Sequence, residues 1–223
     1  MDRTSLARSL RQPKAAAVAG LVFALILSAV LLLLQSVAPH TVDELGTWAD
    51  DEGRRSSVLV ALALIPFAGI AFLWFVAVVR SELGRLGDRF FETVFLGSGL
   101  LFVAMLFAAA AVLSALLTLL GSGAPLPQGA QAASWTVAAA LLGQFGARMA
   151  AVFALTVSTA GRRAGTLPAP AAALGYVCGI LLLLTPPMPE WAQLLFPLWV
   201  LALSTMVLLR RPGDSAEPAP AQT

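Results

Sequence analysis

The sequence predicts an all-α polytopic integral membrane protein, a bundle of six transmembrane helices with both termini in the cytoplasm. Three observations predict it. Of 223 residues, 59% are hydrophobic and only 12% charged, about half the charged share of a soluble domain, and the mean hydropathy is +0.86. Too little polar surface exists to coat a water-facing globule, so lipid must take its place. Six apolar runs, at 15–37, 58–79, 93–120, 134–159, 168–184 and 191–209, approach or exceed the roughly 20 residues that cross a bilayer core of about 30 Å. Finally, eleven arginines and lysines flank the runs on one side and only Arg54 and Arg55 on the other. Short loops rich in basic residues stay in the cytoplasm, so the bias fixes the orientation and supports the even count.

The first run follows a basic segment, 1–14, carrying Arg3, Arg8, Arg11 and Lys14. A cleaved signal peptide would have an apolar stretch of about 7–15 residues. This run is longer, and Pro39 would stand just after the cut that "SVA" at 36–38 offers. An uncleaved anchor is expected.

The loop 39–57 lies outside. Thr41 and Glu44 have capping-box spacing, and Val42, Leu45 and Trp48 give one apolar edge suited to the membrane surface. Asp50, Asp51 and Glu52 form an acidic knot without the alternating spacing of a calcium loop. The second run ends at Arg80, and "RSELGRLGDRFFE" predicts a short membrane-hugging helix or bent connector, with Glu82, Arg85, Asp88, Arg89 and Glu92 pairing three apart.

The third run is longer than a bilayer requires and should tilt or protrude; "GSGAPLPQG" ends it. The fourth closes at Arg162 and Arg163, the fifth is the shortest, and the sixth ends at Arg210 and Arg211. Trp135 and Trp191 fall at the outer boundary, where amphipathic rings prefer to sit. The domain division is thus a basic segment 1–14, a six-span domain 15–209, and a polar, proline-rich tail 210–223 with the composition of a disordered segment. Thirteen of the fourteen basic residues are arginine, which fits a GC-rich bacterial genome, and an inner (cell) membrane location is expected.

Catalytic chemistry finds no constellation. His40 is the sole histidine and lies outside the runs, which excludes a two-histidine metal or haem clamp and a Ser–His dyad inside the bilayer. Ser98, between Gly97 and Gly99, reads as a packing notch. Cys178 is the sole cysteine and reads as a small hydrophobe, so neither a disulfide framework nor a cysteine metal cluster is available. No cofactor or metal site is predicted, and a net charge of +2 gives no reason to expect nucleic acid. Pro66 and Pro197 each fall inside a run, but not in corresponding places, so no inverted repeat is expected.

The one exceptional residue is Arg148. It stands fourteen residues after Ser134 and fourteen before Arg162, about 21 Å from each, near mid-membrane. A charge there costs about 2.5–3.5 kcal/mol on insertion scales, so a compensating partner is expected. Gln144 lies one turn away on the same face, and Glu92 is the candidate carboxylate. Gly143, Ala147 and Ala151 have the small-xxx-small spacing of a close helix contact, predicting that this face looks into the bundle, while Gly143 and Gly146 should loosen the helix around Gln144. Two functional classes fit: a small transporter or channel-like protein whose polar pocket around Gln144 and Arg148 takes an anionic small molecule or lipid headgroup, or a non-catalytic helper or scaffold subunit bound to another membrane protein. Both are in contact with membrane lipid.

Overall fold

The computed structural model describes residues 3–39, 44, 51–83, 89–122, 126–184 and 190–209. Among them are six long helices: α1 (Arg3–Val37), α2 (Glu52–Leu83), α3 (Arg89–Gly121), α4 (Gln128–Arg163), α5 (Ala169–Leu184) and α6 (Leu195–Leu209). No strand occurs among the described residues, and the protein is an all-α bundle with the architecture of a membrane protein. The interfacial segment expected around Val42–Leu45–Trp48, the charge pairs through Arg85 and Asp88, and the tail lie outside the described residues.

Five helices are long and apolar enough to cross a membrane. The exception is α5, whose 16 residues extend about 24 Å, short of a core of roughly 30 Å; α6 reaches spanning length only together with the 3₁₀ turn before it, as the 19 residues Trp191–Leu209. The helices also outrun their apolar stretches. α1 continues back to Arg3, and α4 starts at Gln128 rather than near 134, because adding residues to an existing helix is far easier than nucleating one. α2 begins where Asp51 caps it. Its Oδ1 accepts from the backbone N–H of Gly53 at 2.9 Å and of Arg54 at 3.1 Å, satisfying donors that a helix start leaves free. Pro197 does not break α6: it lies in the first turn, after a 3₁₀ turn at Glu190–Leu194, where its missing N–H is least costly.

Consecutive helices run antiparallel, and contacts at the ends fix this. Arg80 at the end of α2 meets Glu92 at the start of α3, with Nε 2.7 Å from Oε1. Arg163 at the end of α4 lies over the Phe91 ring, 4.8 Å from its centroid. At the opposite end, Arg55 approaches Gly121, a cation beside the negative pole of α3.

Between these ends sits a phenylalanine cluster. Phe23, Phe72, Phe102, Phe153 and Phe196 come from α1, α2, α3, α4 and α6, and each is 7% exposed or less. Phe72 is the hub, with ring centroids 4.6 Å from Phe23, 5.2 Å from Phe102 and 5.1 Å from Phe153. In lipid, where apolar burial drives little, such close ring packing is what holds helices together.

α5 joins differently, through small residues. Gly175 lies against Ser158 of α4 and Trp199 of α6, and Gly179 against Leu155 and the carbonyl of Ala151. Without a Cβ at those two positions the backbones approach closely. Tyr176 adds a hydroxyl bond to Thr159 at 3.2 Å.

Candidate functional site

α4 is not uniformly α-helical. Between Gln128–Ala140 and Ala147–Arg163 it widens into one π-helical turn, Leu141–Gly146. Ala147 N–H reaches back to the carbonyl of Leu142 as well as that of Gln144. Glycine at 146 permits the turn: a Cβ there would stand 2.9 Å from the Leu141 carbonyl oxygen. Such turns carry an extra residue and recur at functional sites.

Arg148 lies immediately beyond this turn. Its Nη1 donates to the main-chain carbonyl of Gln144 at 2.8 Å, so the bond uses the backbone of the π-turn and not the Gln144 side-chain amide. The amide is exposed, Arg148 is half-buried, and Phe145 beside them is 57% exposed.

The small stripe and the polar pair therefore separate. Gly143, Ala147 and Ala151 are buried in the bundle, whereas Gln144 faces outward. Neighbouring positions on a helix differ by about 100°, and the bundle takes up the small residues, leaving the polar ones a quarter-turn away. The expectation that Gln144 looks inward is corrected accordingly.

Nor does Glu92 serve Arg148. Its carboxylate is held by Arg80 at the end of the bundle, close in space because α2 and α3 are adjacent antiparallel helices. Two turns along α4 from Arg148, the Thr156 hydroxyl donates to the Val152 carbonyl of its own helix at 2.7 Å. Among the described residues, the Gln144 carbonyl is the one hydrogen-bond partner of a guanidinium that carries five N–H donors.

A cavity of about 30 Å³ lies on the inner side of the π-turn, lined by Leu27, Leu31, Phe102, Leu142, Phe196 and Gln193 among others. Its lining is apolar apart from Gln193 and includes neither Gln144 nor Arg148. Gln193 is the polar group that sequence reasoning missed. It belongs to the 3₁₀ turn before α6, and its amide packs against Gly143. A polar residue near the start of an apolar run, next to Trp191, was the available signal.

Ser98 is bound to its own helix, with its hydroxyl on the Val94 and Phe95 carbonyls, as buried serines in helices commonly are. Among the described residues, no three His, Cys, Asp or Glu side chains gather where they could hold a metal ion. Comparison with protein-family models, curated proteins and solved structures returned no match.

Proposed function

We propose that the protein is a non-catalytic subunit of a larger assembly in a bacterial inner membrane, docked through the outer face of α4, with both termini in the cytoplasm. One observation carries this reading: a half-buried arginine at mid-span whose flanking Gln144 and Phe145 point away from the bundle. Left against lipid, that charge costs about 2.5–3.5 kcal/mol; covered by a protein surface with acceptors, it is stabilised instead. The orientation rests on the excess of basic residues at the end where Arg80, Glu92 and Arg163 meet.

The test is a photo-crosslinking amino acid at position 145 in native membranes. A discrete adduct with one other membrane protein is expected, lost or weakened in Arg148→Leu. Adducts with lipid alone would overturn the reading.

A small transporter or channel is the second reading, favoured by the π-turn standing beside a cavity that Gln193 lines. It predicts water-accessible cysteine labelling along Gln144 and Arg148, whereas the docking reading predicts labelling only by lipid-soluble reagents in the isolated protein.

A further inference from the structure

We infer that the α4 face formed by Gln144, Phe145 and Arg148 receives a transmembrane helix of a different protein carrying an Asp or Glu at mid-membrane. The inference rests on the docking reading above and specifies the partner's chemistry. The guanidinium, tethered through Nη1 to the Gln144 carbonyl, keeps further donors for a planar acceptor, and carboxylate is the side chain that matches its fork bidentately. The Gln144 amide, exposed one turn away, offers another N–H to the same group.

Two other occupants fit less well. A second copy of this chain has no carboxylate to bring: all twelve of its Asp and Glu residues fall outside the six apolar runs of the sequence, and Glu92 is already bound to Arg80. Apposing the face to itself would set Arg148 against Arg148. A lipid phosphate lies too far away. Arg148 is fourteen residues from Arg162 and thirteen from Trp135, about 20 Å from either boundary, which is more than an arginine side chain can span. The neighbouring surface is apolar and suits a helix: Val137 is 48% exposed and Phe145 57%.

The test uses the full chain, dye-labelled at its C-terminus, in phosphatidylcholine vesicles with a 24-residue Leu/Ala peptide bearing a central Asp, Asn or Leu. Energy transfer should show the Asp peptide binding about tenfold more tightly than the Leu peptide, with Asn in between. That preference should vanish in Arg148→Leu. Varying the peptide leaves the protein unchanged, so the result does not depend on how well the variant folds. Equal binding of all three peptides overturns the inference. So does loss of the Asp preference when phosphatidylglycerol is added, which assigns the guanidinium to a lipid phosphate, and so does Arg148-dependent energy transfer between copies of the chain, which assigns the face to self-association. The crosslink at position 145 is independent: a discrete adduct whose contacting helix lacks a carboxylate would sustain the subunit reading and end this one.

Discussion

Gly175→Ala tests how α5 is held. A Cβ on Gly175 would overlap the Ser158 hydroxyl and stand 2.8 Å from Trp199 Nε1 and 3.1 Å from Cε2. Ser158 is 0% exposed and Trp199 3%, so neither has open space to move into. Overfilling a packed site of this kind costs about 1–3 kcal/mol. Taking about 2 kcal/mol, and about 2–4 °C per kcal/mol for a chain of this length, the melting temperature should fall by about 4–8 °C. Cys178, the sole cysteine and 5% exposed, supplies the assay. It lies one turn along α5 from Gly175, so a thiol-reactive dye in detergent reports the release of that helix directly. Ser158→Ala removes the clashing oxygen and should recover part of the loss, the Trp199 ring accounting for the remainder. Alone, Ser158→Ala should be neutral or stabilising, because the Ser158 hydroxyl has no hydrogen-bond partner among the described residues and leaving a buried hydroxyl unbonded is costly. An unchanged melting temperature in Gly175→Ala, or a double variant no better than the single, would refute the close-approach account.

Three further predictions concern other parts of the bundle. Asp51→Ala removes the cap of α2 and should cost about 1 kcal/mol, read by the same dye assay, while Asp51→Asn should retain most of the stability. Glu92→Gln breaks the pair with Arg80, but its side chains are 34% and 51% exposed; screened pairs contribute at most about 1 kcal/mol, so a small drop in melting temperature that shrinks in high salt is expected. Deleting Phe145 removes the extra residue of the π-turn and leaves the flanking α-helical segments in register, so folded yield by fluorescence-detected size exclusion should stay near wild type. Deleting Val152 instead rotates the rest of α4 by about 100° and should abolish the folded peak.

Chain geometry was legible in the sequence because it follows from length and composition. The apolar runs mark the helices, and proline and glycine clusters mark most of the turns. What faces what was not legible. In water, polarity separates the inside of a helix from the outside; in lipid both sides are apolar, and in Ala-rich α4 little distinguishes the buried Gly143–Ala147–Ala151 stripe from the adjacent Gln144–Arg148 face. The glycines at 143 and 146 did signal a loosened helix around Gln144, and a π-turn lies there. Gly175 and Gly179 carried the small-xxx-small signal too, but alanine and glycine recur so widely in this chain that spacing alone could not choose the pair that meets Ser158 and Leu155. Phe72's partners lie on four other helices and leave no periodic trace. Arg80 and Glu92 stand twelve apart, beyond the i,i+3 and i,i+4 rules, and meet only because two antiparallel helices end together.

A nitroxide at position 145, in a Cys178→Ala background reconstituted in vesicles, measures depth and exposure at once through its collision rates with oxygen and with a water-soluble nickel complex. If the outward, mid-membrane placement of the Arg148 face is right, oxygen dominates and the label lies near the bilayer centre. High nickel accessibility, or protection from both reagents, would contradict it.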